Sequence, residues 1–523
     1  MTVTLTQFAS LNNGQYIGDF FGTGDPLVVD SRSSTKFVFH NPDNPGGFGS
    51  TVTVTGTGFK YDSDNVAYAG TITSVTVKDA GAHNLVTITG LSVAMDSFYA
   101  MFAGWNDGNG SSHQGGNGYD ILTTLTNAGV TYVGTSGGDN MVAGSSPGDD
   151  IVNAGGGNDF INTSRGNDTY NGGAGNDDVL NYGQSIHDAT VSHGVTVNLA
   201  TGTATNPWGG TDTISGIEEV WGSGFGDDMT GDSHNNYFAG MRGDDTINGG
   251  GGALNGALYF HDVQYGGNHG IKADLSTGQI VDGWGDTDTV TNIQYVAGTK
   301  FADVLTGGAG DDTLEGIAGK DSFNGGGGTN MLVFWHNQSY GGTGATVDLS
   351  ASKVTNDGFG NVETATNIQN LSGSDLDDTL KGSTVANYLQ GNGGSDTLDG
   401  LGGNDTLEGN DGADKFVFST TPDGSTNHDV INDFSGSTGQ GDTIELSHAV
   451  FTAIAGTVGS HIASSQFQPG GGTATTSTQH VVWNSATGDL YYDSNGSGSG
   501  GQVLIAHLND TPALAAVDII LIA

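Results

Sequence analysis

The sequence predicts an all-β protein: a parallel β-roll or β-helix with inserted β modules, preceded by a β-sandwich-like domain and followed by a β cap. Three observations predict it. A nine-residue period runs through the middle of the chain, as in "NAGGGNDFINTSRGNDTYNGGAGNDDVL", where Asp159, Asp168 and Asp177 each follow a glycine by two positions. The segments that interrupt this period are themselves copies of one another, about 75 residues apart. Composition is the third: 93 glycines and 34% hydrophobic residues leave too little apolar volume for a thick core, while the strict period argues against disorder. Stacked repeats are the architecture that buries a thin core.

Residues 1 to 133 carry no nonapeptide and show alternating runs, "STKFVFH", "STVTVTGTGF" and "GTITSVTVKDAG", which predict a small β-sandwich. The run "LSVAMDSFYAMFAGW" breaks the alternation and reads as a short helix packed on it. It is a folding or capping domain for the roll, or else a surface-binding module.

The roll is predicted over 134–418. Its acidic register starts at Asp139, slips by two residues to Asp150, and continues through Asp159, Asp168 and Asp177. It restarts three times: at Asp227, Asn236 and Asp245; at Asp303, Asp312 and Asp321; and at Asp378, Asn387, Asp396, Asp405 and Asp414. An apolar residue follows nearly every one by two positions, including Ile161, Tyr170, Val179, Leu305, Leu398 and Phe416. Strand side chains alternate faces, so acid and apolar residue point the same way, inward. Between units the chain must reverse tightly at positive φ, which glycine and asparagine tolerate.

Stacking such turns lines up carboxylates that repel one another unless a cation lies between them. Aspartate and carbonyl oxygens are hard ligands that suit Ca²⁺; thiolates are absent and the histidines lie outside the register. All sixteen positions above are therefore expected metal ligands, with Asn236 and Asn387 offering a neutral oxygen.

Three inserts interrupt the roll: "GVTVNLATGTATNPWGGTDTISGIEEVWGS", "GIKADLSTGQIVDGWGDTDTVTNIQYVAGT" and "GATVDLSASKVTNDGFGNVETATNIQNLSGS". Leu199, Leu275 and Leu349 correspond, as do Ile217, Ile293 and Ile368. Residues 419 to 523 form the β cap. Within it Asp493, Asn495, Ser497 and Gly498 match the opening of an EF-hand loop, but position twelve is Leu504 rather than glutamate, so the stretch reads as a structural turn or else a weak ion site.

With its glycine and aspartate positions filled as in "TSRGNDTYNGGAGNDDVL", the roll resembles the repeats-in-toxin (RTX) nonapeptide family of haemolysin-type calcium-binding proteins. The resemblance implies a right-handed parallel β-helix, several bound Ca²⁺ ions held by repeat aspartates and neighbouring carbonyls, and export from a Gram-negative bacterium by type I secretion through an uncleaved C-terminal signal. The ending "AAVDIILIA" is similar to that signal. The stretch "DVINDFSGSTGQGDTIELS", with Asp429, Asp433 and Phe434, resembles the C-terminal domain of serralysin-type members. No HExxH motif accompanies it, so the protease half is not expected.

Charge and the remaining motifs narrow the function. With 57 acidic against 12 basic residues the net charge is −45, which excludes nucleic acid as a partner. No cysteine is present, and no apolar run reaches transmembrane length. His187, His261 and His336 recur near the start of each insert and read as packing residues. Gly134-Thr135-Ser136-Gly137-Gly138 matches a nucleophile elbow in letters but opens the first nonapeptide, without the strand-turn-helix context. The expectation is a non-enzymatic, extracellular or cell-surface calcium protein, structural and self-assembling into a surface layer, filament or matrix. The alternatives are an adhesin that binds a glycan or cell surface and, third, a polysaccharide-directed enzyme.

Overall fold

The computed structural model describes the strands between residues 3 and 94 together with 130–134, 136–142, 148–437, 439–509 and 511–523. It separates into two compact units, Met1–Asn255 and Gly256–Ala523. The boundary between the units lies inside the repeat region.

In the first unit, strands Val28–Arg32, Lys36–His40, Thr51–Tyr61, Ala67–Lys78 and Asn84–Ala94 pair antiparallel in succession. Val3–Gln7 then pairs antiparallel with Asn84–Ala94 and parallel with Val130–Val133. The alternating Thr/Val runs thus form one sheet; the second layer of a sandwich is not among the described residues. Leu91–Ala94 continue a strand rather than opening a helix, and the rest of that helix expectation lies outside the described residues.

Through Val130–Val133 the sheet passes into the roll, because this strand pairs parallel with Ile151–Gly156. Each nonapeptide supplies one short strand, and successive strands alternate between two sheets. Ile151–Gly156 and Thr169–Ala174 pair on one, with Ile151 opposite Thr169. Asn140–Val142, Phe160–Asn162 and Val179–Asn181 pair on the other. A full coil is therefore two nonapeptides. Val152, Tyr170, Met141, Ile161 and Leu180 are all fully buried between the sheets, the single apolar layer that so little apolar sequence can fill.

The insert of this unit modifies one sheet only. Thr211–Ser215 stacks parallel on Thr169–Ala174, Thr203–Thr205 and Thr196–Asn198 follow antiparallel, and Asp228–Thr230 resumes the parallel stack on the latter. On the opposite sheet the stack runs directly from Val179–Asn181 to Glu219–Trp221 and Tyr237–Ala239.

The second unit follows the same plan. Val304–Thr306, Ser322–Asn324 and Glu363–Thr366 stack parallel, and Lys353–Asn356 with Thr346–Asp348 forms the antiparallel detour before Thr379–Ser383 resumes. Thr397–Leu401, Lys415–Phe418, Thr443–Ser447 and the terminal strand Ile519–Ile522 complete that sheet. Leu380, Leu398, Leu407, Phe416 and Ile519 are fully buried. The hairpin Asp489–Asp493 with Gln502–Leu508 closes the other sheet by pairing with Asp429–Ile431. No helix among the described residues is long and apolar enough to cross a membrane.

Candidate metal-binding ladders

A coil has two turns, so the acidic register splits into two ladders rather than one. On each, the backbone N–H of a rung donates to the side chain of the rung one coil later. Asp139 N–H reaches Asp159 Oδ1 (2.7 Å) and Asp159 N–H reaches Asp178 Oδ1 (2.8 Å). Asp150 N–H reaches Asp168 Oδ1 on the other ladder (2.7 Å). The same link joins Asp227 to Asp245, Asp303 to Asp321, Asp378 to Asp396, Asn387 to Asp405 and Asp396 to Asp414, at 2.7 to 2.8 Å. Asn236 and Asp312 continue onto Asn255 and Asn330.

One expected rung is corrected. The turn after Gly175 is one residue longer than its neighbours, so Phe160 lies opposite Val179, nineteen positions on, where Ile151 lies opposite Thr169, eighteen on. Asp178 therefore takes the rung and is fully buried, while Asp177 stays exposed. Leu180, not Val179, fills the apolar position below it.

Rungs outside the nonapeptides were missed. Where an insert intervenes, its returning strand supplies the next side chain: Asp168 N–H donates to Asp212 Oδ1 (3.0 Å) and Asp178 N–H to Glu218 Oε2 (2.9 Å). In the second unit Asp321 donates to Glu363 Oε1 (2.9 Å) and Asn330 to Gln369 Oε1 (2.8 Å). Asp429 and Asp442 end the ladders below Asp405 and Asp414. The signal existed in the aligned inserts, where Asp212, Asp288 and Glu363 correspond, as do Glu218, Gln294 and Gln369.

The second carboxylate oxygen sorts the rungs. In Asp168 it accepts from Ser164 Oγ (2.9 Å) and Tyr170 OH (2.7 Å). In Asp227, Asp303 and Asp378 it accepts the N–H of Ser223, Thr299 and Ser374, four residues earlier, at 2.6 to 2.7 Å. In Asp312 it accepts from Gly308 N–H (2.6 Å). In Asp159, Asp178, Asp396, Asp405 and Asp414 it is buried with no hydrogen-bond partner. Left alone, such an oxygen costs about 1–3 kcal/mol, more when charged.

The oxygens of Asp178, Asp396, Asp405 and Asp414 face a hollow that only glycine leaves open. A Cβ placed on Gly391 would lie 2.0 Å from Asp396 Oδ2 and 2.9 Å from the carbonyl oxygen of Gly409, one coil on. Gly400 and Gly409 would meet Asp405 and Asp414 at 2.3 Å. The glycine five residues before Asp396, Asp405 and Asp414 is thus required by close approach, whereas the one two residues before, such as Gly403 at φ +124°, is required by backbone conformation. Among the described residues no three His, Cys, Asp or Glu side chains converge on one point. The donor set is one carboxylate oxygen with backbone carbonyls, which fits a hard cation such as Ca²⁺.

Burial raises the carboxyl pKa of Asp159 and Asp414 to about 6 and of Asp396 to about 8, from an ordinary 3.8. The charged form is penalised, and a proton or a cation relieves it. Burial, then the neighbouring Glu363, pushes Asp321 up as well.

The other motifs take no part. Gly134 is the close-approach glycine of Asp139, since its Cβ would lie 2.7 Å from Asp139 Oδ2. His261 and His336 both pack on Phe260, at ring separations of 4.1 and 5.0 Å, and His336 Nδ1 lies 2.9 Å from Glu315. The EF-like stretch is a hairpin turn in which Asp493 Oδ1 accepts Asn495 N–H at 3.1 Å.

A family model finds the same repeats. The family described as the RTX calcium-binding nonapeptide repeat (4 copies) matches residues 144–179, 221–253, 298–332, 372–407 and 381–416. No curated protein matches the chain. Solved structures similar to it include the AlgE6R3 subunit of the Azotobacter vinelandii mannuronan C5-epimerase, at 20% identity over 42% of this chain and 78% of that one, TM-score 0.17. Another is the extracellular lipase LipA of Serratia marcescens, at 17% identity over 43% of this chain and 39% of that one, TM-score 0.15. By these matched segments, the chain carries RTX calcium-binding nonapeptide repeats.

Proposed function

We propose that the protein is a secreted, non-catalytic calcium-binding repeat protein that assembles with copies of itself outside the cell. One observation carries the reading: the interior rungs Asp178, Asp396, Asp405 and Asp414 each turn a buried, unpartnered oxygen toward a glycine hollow, which the carbonyl of Gly216 also faces at Asp178 and that of Gly409 at Asp396. These residues would hold Ca²⁺, which supplies the positive charge that makes coil-on-coil stacking favourable. The rungs whose second oxygen is already bonded, among them Asp227, Asp303 and Asp378, fasten coils through the protein's own donors. Type I export fits a chain that stays unfolded where calcium is scarce and folds where it is abundant.

The rung at Asp178 gives a direct check. In the full chain, Asp178→Asn is expected to raise the calcium concentration at the folding midpoint roughly tenfold, equivalent to about 1.4 kcal/mol. Asp177→Asn leaves the midpoint unchanged. Equal shifts for both, read by circular dichroism over a calcium titration, would reject the assignment.

Assembly is supported by charge. At −45, two copies repel until cations neutralise facing carboxylates. Light scattering of full-length protein is expected to show association that begins above the folding midpoint and reverses in chelator. Folded protein that stays monomeric at several millimolar calcium would remove self-assembly from the proposal and leave surface binding.

A further inference from the structure

The three inserts place a polar residue at two corresponding points, and the second insert alone fills both with buried acids that lack a counter-charge. At the first point stand Asp188, Asp262 and Asn337; at the second Asn206, Asp282 and Asp357. In the first insert the acid is part-exposed and paired, with Arg165 2.6 Å from Asp188 Oδ2 and Trp208 Nε1 at 2.9 Å. Its partner position, Asn206, is neutral. In the third insert the first residue is the neutral Asn337, and Asp357 is bonded at both oxygens, its Oδ2 by Asn361 Nδ2 at 2.8 Å. Each of those inserts therefore carries one acid with a partner.

The second insert differs. Asp262 and Asp282 are 0% and 1% exposed. Asp262 Oδ2 accepts the N–H of Gly283, the residue next to Asp282, at 3.0 Å, and the two carboxylates are close enough for their charges to repel. Asp282 Oδ1 accepts three backbone N–H groups, of Trp284, Gly285 and Asp286, at 2.7 to 2.9 Å. Asp262 Oδ1 and Asp282 Oδ2 are buried and have no partner. No lysine or arginine among the described residues pairs with either. A Cβ on Gly283 would lie 3.0 Å from Asp262 Oδ2 and 3.4 Å from the carbonyl oxygen of His269, so a carbonyl faces the same place.

We infer that Asp262 and Asp282 hold a divalent hard cation inside the second insert, at a site separate from the nonapeptide ladders. Two adjacent buried carboxylates, each with one oxygen committed to backbone and one free, supply two charges and oxygen donors. With only two acidic side chains, the remaining ligands come from backbone carbonyls, a mixture calcium accepts. The other inserts show how the same fold closes this point without an ion: by an arginine pair or by an asparagine.

The test counts ions in the full-length protein. After equilibrium dialysis against calcium, bound metal is measured by elemental analysis for the unaltered chain and for Asp262→Asn, which installs the residue the third insert carries. The expected result is one ion fewer per chain, with an unchanged β spectrum in calcium. An unchanged count in folded Asp262→Asn overturns the site and leaves a proton as the neutralising partner. If that variant does not fold, Trp284→Phe decides, because the third insert has Phe359 at this position and Trp284 lies two residues from Asp282. With terbium as probe, tryptophan-excited emission is expected to fall on Trp284→Phe; unchanged emission overturns the site. Loss of ladder calcium would appear instead as loss of several ions and of the β spectrum.

Discussion

Purified full-length protein in EDTA at neutral pH is expected to lack most of the parallel β-structure of its repeats and to gain it cooperatively on adding millimolar Ca²⁺. The rungs Asp159, Asp178, Asp396, Asp405 and Asp414 each bury an oxygen without a partner, and burial penalises its charge. The apolar layer that opposes this is one side chain thick, with Leu398, Leu407 and Phe416 among its members. An ion that binds only the folded chain at a hundred times its Kd contributes about 2.7 kcal/mol per site. A few such sites reach the total stability of an ordinary domain, about 5–15 kcal/mol. Circular dichroism checks it, and a spectrum unchanged between EDTA and calcium would refute it.

The second large effect is an opposite pH dependence with and without calcium. In the metal-free fold, burial places the carboxyl groups of Asp159 and Asp414 at about 6, Asp212 at about 7 and Asp396 at about 8. Unfolded, each returns to near 3.9. Between those values the folded chain binds more protons than the unfolded one, so its stability is greatest at acid pH and is lost as pH rises through about 6 to 8. In EDTA, the repeat β-structure is therefore expected to be greatest near pH 5 and to be lost as pH rises to 8, read by circular dichroism. With calcium the direction reverses, because protons compete for the same oxygens, and the calcium concentration at the folding midpoint rises on acidification. A β-spectrum in EDTA that strengthens with rising pH would contradict the assignment of these rungs as buried, uncompensated carboxylates.

Local spacing made most of the site legible. The nine-residue step placed rungs such as Asp159, Asp396 and Asp405, and the residue two positions on fell in the core as Ile161, Leu398 and Leu407. What spacing cannot register is a turn one residue longer. The doubled acid at Asp177 and Asp178 offers two readings, and only the pairing of Phe160 with Val179 selects Asp178.

The sequence by itself determined the repeat and the inward acid and apolar pair. These follow from the two-residue alternation of a strand and the conformational freedom of glycine, both local properties of the chain. Tertiary structure alone decided that the rungs form two ladders, that Asp212, Glu218, Glu363 and Gln369 carry them past the inserts, and which carboxylates keep a free oxygen. The links from Asp168 to Asp212 and from Asp321 to Glu363 span 44 and 42 residues. A hydrogen bond between coils is set by which backbone lies below which, and an insert of any length changes the sequence separation without changing that contact.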